Sequence, residues 1–300
     1  MIVQNMHISK RFALYNGDCV EVIKGLPSNS VHLTVTSIPF SNLYIYSDSY
    51  RDMGNCASDE EFFAQYDYLI EDWYRVTVPG RICCIHCKQL VDYKGRDGRA
   101  GLRDFRGDII RHMEKFGWKY HSEVCIWTDP VLEMQKTKAH GLLYCQTRKD
   151  TSFSRQGLPE YILVFRKWAD EMDDVEPVIK ERETWPLEDW QNLASPVWMD
   201  ISRTNVLNVK IAREDRDEKH ICPLQLDVIE RCIRLWSNEG DVIFDPFAGI
   251  GSTPYVAVKM RRQGLGIELK EAYFNQAVKN CAEAEAEIDT PTLLDFIGEA

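Results

Sequence analysis

Val242-Ile243-Phe244-Asp245-Pro246-Phe247-Ala248-Gly249-Ile250-Gly251-Ser252-Thr253 is the stretch from which the fold is read. An apolar run of strand character enters a glycine turn and leaves it into a helix predicted over residues 254–260. Glycines at such a turn let a ligand approach the backbone, and the helix start offers unpaired N–H groups at the carboxyl edge of a sheet. The next predicted strand, Gln263 to Leu269, brings Glu268 to its end. A carboxylate there can accept hydrogen bonds from both hydroxyls of a ribose. The turn does not read GxGxxG, and no Lys-Ser or Lys-Thr follows to cradle a triphosphate, which counts against a pyrophosphate cofactor.

The order Asp245-Pro246-Phe247-Ala248-Gly249 resembles the S-adenosylmethionine motif of the amino-methyltransferases that modify adenine or cytosine in DNA. The resemblance implies S-adenosyl-L-methionine as cofactor, with Asp245, Pro246, Phe247, Gly249, Gly251, Ser252 and Glu268 around it. A second stretch supports it. The β-branched run Val31 to Thr36 feeds Ser37-Ile38-Pro39-Phe40, which is similar to the (Ser/Asp/Asn)-Pro-Pro-(Tyr/Phe) catalytic motif of those enzymes, with Ile38 in place of the first proline.

The chemistry needs such a turn. An exocyclic amine is a poor nucleophile because its lone pair is delocalised into the ring. A polar side chain and a backbone carbonyl that both accept hydrogen bonds from the NH2 draw the nitrogen toward tetrahedral geometry while an aromatic ring holds the base. Ser37, the carbonyl of Ile38 and Phe40 would supply these parts, with Pro39 stiffening the turn. Isoleucine offers a carbonyl as proline does, but it adds an N–H and loosens φ. Cytosine-C5 methylation would instead need a cysteine nucleophile, which those enzymes carry in a Pro-Cys pair. This chain has only the reverse order, Cys222-Pro223.

At 300 residues and 44% hydrophobic, the chain is long enough for one domain with insertions. The Met-Ile-Val-Gln-Asn-Met-His start lacks a signal-peptide pattern and no run is apolar enough to span a bilayer, so a cytoplasmic protein is expected, and the resemblance implies a bacterial or phage-encoded one. Ten scattered cysteines fit reduced thiols. Cys83-Cys84-Ile85-His86-Cys87 could suggest half a metal site, but no second half appears, so it is read as a strand interior and no metal is expected. The net charge of −11 is uneven: residues 48–72, 169–190 and 283–300 carry −7, −7 and −6, which leaves +9 on the rest. A basic body is compatible with duplex DNA as partner. A homodimer is left open.

In chain order, Gly17-Asp18 follows a short strand, and the resemblance implies that Asp18 lies near the cofactor's adenine. Residues 41–60 read as a long loop, a place for a lid, and Glu60 to Val76 as a helix whose aromatic stripe packs in the core. Pro79-Gly80 is expected to turn into a strand from Arg81 to His86, residues 88–111 to form a loop and then a helix, and Tyr120 to Trp127 to pair antiparallel with Pro159 to Trp168. The polar insert between those strands carries Lys136, Lys138, Arg148, Lys149 and Arg155, suited to phosphates and base edges. The resemblance places His220 to Gln225, with His220 and Pro223, at the methionine end of the cofactor.

The expected fold is therefore an α/β, Rossmann-like methyltransferase fold, circularly permuted, with a mostly parallel sheet, an antiparallel hairpin and an inserted recognition region. The divisions are 1–127 for the catalytic half, 128–158 for a DNA-contacting loop and 159–168 for the last sheet strand. Residues 169–219 form a recognition or connecting region, 220–282 the cofactor half and 283–300 an acidic tail. The function implied is methyl transfer to the amine of a flipped base in DNA, with cytosine N4 favoured over adenine N6. The alternatives are an RNA or protein-amide methyltransferase and a catalytically silent DNA-binding relative.

Overall fold

The computed structural model describes residues 3–44, 49–137, 140–183, 185–208 and 223–290. Strand β10 (Val242–Asp245) lies between two parallel neighbours, β11 (Gln263–Glu268) and β3 (Val31–Ser37). Outside β11 come β2 (Phe12–Asn16), parallel to it, and β1 (Asn5–Ile8), antiparallel to β2. Outside β3 come β4 (Thr77–Lys88), parallel, and then β8 (Glu160–Arg166) and β7 (Lys119–Ile126), each antiparallel to its neighbour. The short β9 (Val197–Trp198) closes that edge alongside β7, so among the described residues the sheet has nine strands. Five central strands run parallel with an antiparallel hairpin beside them, which is the expected fold class.

Alternation along each strand sends side chains to opposite faces. Cys83, Ile85 and Cys87 of β4 join Val31, Leu163 and Phe165 on one face, while Ile82 and Cys84 join Leu33, Val35, Ile162 and Val164 on the other. The cysteine-rich stretch is thus a buried strand. The first face is covered by α1 (Cys19–Val22), α2 (Asp59–Val76) and α4 (Phe105–Lys115), and the second by α7 (Leu226–Trp236) and α8 (Ser252–Lys259). Helix α9 (Glu271–Asp289) packs its Phe274, Ala277 and Cys281 against Phe12 and Leu14 of β2.

Helix α2 shows how sequence makes such a cover. Ser58 caps it by accepting from Glu61 N, and Asp59, Glu60 and Glu61 face the positive end of the helix dipole. Its stripe of Phe62, Phe63, Tyr66, Leu69, Ile70 and Trp73 is buried, each side chain contributing roughly 1.5–3 kcal/mol. The Trp73 indole N–H donates to Thr34 Oγ1 of β3 at 2.9 Å, so its polar atom enters the core satisfied.

Several expectations need correction. Pro79-Gly80 does not precede the strand but lies inside β4. The register runs Val31↔Thr77 and then Leu33↔Ile82, so five residues of β4 are matched to two of β3. Gly80, at φ +79°, keeps its N–H in the sheet by donating to Lys167 O at 2.9 Å. Residues 88–111 are not a plain loop and helix: β5 (Leu90–Asp92) and β6 (Gly101–Arg103) pair antiparallel around α3 (Lys94–Asp97), and Asp104 then caps α4. Between β7 and β8 lie α5 (Pro130–Thr137) and short 3-10 turns, a structured insert rather than a bare loop. Strand β8 is internal, not the last strand; β9, preceded by α6 (Leu187–Leu193), sits at that edge. Helix α9 extends to Asp289, so residues 283–289 are helical with Ala284 buried, and only 291–300 of the expected tail fall outside the described residues. The helix after the glycine turn starts at Ser252 rather than Pro254.

Candidate active site

Adjacency of β3 and β10 brings two stretches far apart in sequence to one sheet edge. Thr36 Oγ1 of β3 donates to Asp245 Oδ1 at 2.6 Å, and Thr253 Oγ1 at the start of α8 donates to the Val35 carbonyl at 3.0 Å. Asp245 Oδ1 also accepts from Phe247 N at 3.0 Å, which folds the chain back at Pro246. Burial pushes the Asp245 carboxyl up to about 6, with the Thr36, Phe247 and Thr253 hydrogen bonds opposing it.

Gly251 lies at φ +85°, and a Cβ there would stand 2.9 Å from the Cβ of Ala277 on α9. Only glycine fits both the left-handed turn and that approach. Asn280 of α9 donates to the Ile250 carbonyl at 2.8 Å and fixes the turn from outside. At the end of β11, Glu268 accepts from Gly249 N and Lys270 N, one at each carboxylate oxygen and both at 2.8 Å. Burial nevertheless raises Glu268 to about 7, with Asp52 and Asp245 adding to the rise against those two hydrogen bonds. Asn16, at the end of β2, stitches this edge together by donating to the carbonyls of Glu268 and Leu269.

These groups open into a cavity of about 660 Å³. Asp18, Pro223, Asp245, Pro246, Phe247, Gly249, Ser252 and Glu268 line it, and so do Ser37, Pro39 and Phe40. The structure therefore brings the two sequence motifs to one cavity. Ile38 is not in the lining: its side chain is 1% exposed and packs into the core. Gly251 sits behind the turn it shapes. His220 falls outside the described residues. Asp18 is already engaged, capping α1 through Val20 N at 3.0 Å and accepting from Arg51 Nη1 at 3.0 Å. Of the basic residues in the insert, Lys138 and the side chain of Lys136 lie outside the described residues, while Arg148 and Lys149 are exposed. Arg155 is half-buried and turns back to donate to the Gln156 carbonyl at 3.0 Å.

Other residues of the cavity were not singled out from sequence. Arg51 and Asp52 reach it from the segment before α2, and Arg203 from the segment after β9. His86 and Glu160 stand beside Ser37: Ser37 Oγ is 2.9 Å from His86 Nδ1, and His86 Nε2 is 3.2 Å from Glu160 Oε2. The Phe40 ring meets that of His86 edge-on at 6.0 Å between centroids. The left-handed Ser41 that follows, at φ +51°, donates to Asp59, which Arg103 also holds. Among the described residues no group of three or more His, Cys, Asp or Glu is placed to hold a metal ion, and no helix is long and apolar enough to cross a membrane.

The carboxylate at the end of β11, the close glycine turn and the mixed polar and apolar cavity suit a nucleoside-type ligand bearing a ribose. Solved structures agree on the class. A protein from Thermus thermophilus assigned as a DNA modification methylase, solved with S-adenosyl-L-methionine, is 26% identical, with a TM-score of 0.65 over 92% of this chain and 96% of its own. The PvuII cytosine-N4-specific DNA methyltransferase shares the fold at a TM-score of 0.65 and 13% identity, over 96% of each chain. The fold and cavity are those of an S-adenosyl-L-methionine-dependent methyltransferase.

Residues 31–279 match the family model described as DNA methylase, and the chain belongs to this family of N6- and N4-methyltransferases. Among curated relatives, the type II methyltransferase M.MjaI of Methanocaldococcus jannaschii is 23% identical over 82% of this chain and 84% of its own length. The type II methyltransferase M.BglII of Bacillus subtilis is 26% identical over 90% and 68%. The protein is an S-adenosyl-L-methionine-dependent DNA methyltransferase.

Proposed function

We propose that the chain methylates the exocyclic amine of a base turned out of duplex DNA, at cytosine N4 in preference to adenine N6. The observation that carries this reading is the presence of Ser37 and Glu268 in one cavity, the first from the end of β3 and the second from the end of β11. A target atom inside a stacked duplex could not reach such a site, so the base must leave the helix. S-adenosylmethionine supplies an electrophilic methyl group. Glu268 holds its ribose, and the turn from Asp245 to Ser252, with Pro223, surrounds the rest. Ser37 Oγ and the Ile38 carbonyl accept the two amine hydrogens, and Phe40 holds the base by stacking. Burial of the Ile38 side chain fixes the turn from below, which offsets the rigidity lost with proline. A hydroxyl rather than a carboxylate at the head of the motif supports cytosine. Exposed Arg148 and Lys149 would contact phosphates.

The test is nucleoside mass spectrometry of DNA methylated by wild type, Ser37→Ala and Phe40→Ala. Each variant should bind S-adenosylmethionine normally and lose at least about tenfold in methyl transfer, equivalent to ~1.4 kcal/mol. A C5-methylcytosine product, or full activity in both variants, removes the Ser37 turn from the mechanism.

A further inference from the structure

We propose that Ser37, His86 and Glu160 form a proton relay, in which Glu160 fixes the tautomer of His86 and His86 takes, through Ser37, the proton that leaves the methylated amine. The proposal rests on the reading of Ser37 given above and extends it to two side chains with no part in it.

The relay is a product of strand register. Ser37 ends β3 and pairs directly with His86 of β4, while Glu160 begins β8 opposite Lys88, two residues along from His86. The ring bridges the two neighbours, 2.9 Å from Ser37 Oγ at Nδ1 and 3.2 Å from Glu160 Oε2 at Nε2. Glu160 is a committed acceptor. Burial opposes its ionisation, but the hydrogen bond and charge of His86, with the charges of Lys88 and Arg203, hold it at about 2. In a neutral imidazole one nitrogen donates and the other accepts. A carboxylate at Nε2 places the hydrogen there and leaves Nδ1 as an acceptor, so the Ser37 hydroxyl hydrogen points to Nδ1 and its oxygen lone pairs face the cavity. That orientation is what accepting a hydrogen from an amine requires.

The balance of the step follows. A new N–C bond replaces the S–C bond of the methyl donor, and the positive charge passes from sulfur to the amine nitrogen. That nitrogen gives a proton to Ser37 Oγ as the serine proton moves to His86 Nδ1. The resulting imidazolium lies against the Glu160 carboxylate, and it gives up the proton to solvent when product leaves. The charged group facing the ring is Glu160 from β8; Lys88 acts on that carboxylate, as does Arg203, 3.9 Å from its other oxygen. His86 is 7% exposed, so bulk water is a poor competitor for the proton. By this reading His86 and Glu160 are positioning residues that act through Ser37.

Two measurements test it. Nitrogen-15 NMR of the histidine-labelled chain without cofactor should show the neutral form of His86 as the Nε2–H tautomer; an Nδ1–H tautomer overturns the relay. In single-turnover methylation, Glu160→Gln should move the acidic limb of the rate profile to lower pH by at least about one unit, because loss of the carboxylate destabilises the imidazolium. His86→Ala should lose at least about tenfold in rate and recover part of it with added imidazole. A limb that stays in place in Glu160→Gln, or a wild-type rate in His86→Ala beside an inactive Ser37→Ala, overturns the relay and leaves the amine reading intact. Full activity in Ser37→Ala overturns both.

Discussion

Binding of S-adenosylmethionine should weaken as pH falls from 8 to 6, and Glu268 is the reason. Its two oxygens already accept from Gly249 N and Lys270 N at 2.8 Å, and an ionised carboxylate retains further lone pairs for two ribose hydroxyls. Burial raises the group to about 7 without ligand, so the ionised form that the ribose needs falls from roughly nine-tenths of molecules at pH 8 to a tenth at pH 6. The affinity should fall about tenfold across that window, with close to one proton released per ligand bound at pH 6. Glu268→Gln keeps one acceptor oxygen and turns an NH2 toward one of the two backbone donors. The loss is about 1.5–3 kcal/mol, roughly 10- to 150-fold in affinity at pH 8, with the pH dependence gone. The same linkage acts on stability. A carboxyl raised in the folded state binds protons that the unfolded chain has released, so the ligand-free protein should lose stability as pH rises from about 4.5 to 7. Isothermal titration calorimetry in buffers of contrasting ionisation enthalpy measures both affinity and protons. Flat affinity in the wild type from pH 6 to 8, or wild-type affinity in Glu268→Gln, would refute the assignment of the ribose to this carboxylate.

Gly251→Ala should cost about 2 kcal/mol or more in urea melts, since it adds a left-handed penalty of ~1–2 kcal/mol to the 2.9 Å approach of Ala277; a change below about 0.5 kcal/mol would mean the turn can relax. Neutralising Arg148 and Lys149 together should lower the slope of log affinity for DNA against log salt by about two units, and adding Arg155→Gln should change it little, because that side chain folds onto its own loop. A slope unmoved by the first pair would place the phosphate contacts elsewhere.

What sequence revealed depended on how local the signal is. The cofactor strand, its glycine turn and Glu268 lie within 27 residues of one another, and each is bounded by residues whose backbone demands are visible one at a time. Ser37 could be read for the same reason. His86 cannot be, although the cysteine-rich stretch around it stands out, because what distinguishes it is pairing with Ser37 on one side and a diagonal approach of Glu160 on the other. Neither relation has a sequence period. Pro79-Gly80 misled for a related reason: proline and glycine usually end a strand, and only the three extra residues of the bulge keep this one in the sheet. Asp18 was placed correctly at a strand end, while its pairing with Arg51 across 33 residues was not foreseeable.

The position of β10 between β3 and β11 also bears on how the chain is made. Until residues 242–268 have emerged from the ribosome, β3 has β4 on one side and an open edge on the other, and β2 has only β1. Both open edges belong to the parallel core, where pairing is non-local and slow to form. Unpaired edges of that kind invite strands from other chains. Occupancy of the cofactor site would reward the finished arrangement and, with Glu268 in the proposed ribose-holding role, would come only after that residue is in place. The nascent protein therefore depends on β10 and β11, made after every other strand of the described sheet, to close that sheet, and truncation or stalling just before β10 should be the point at which it most readily aggregates.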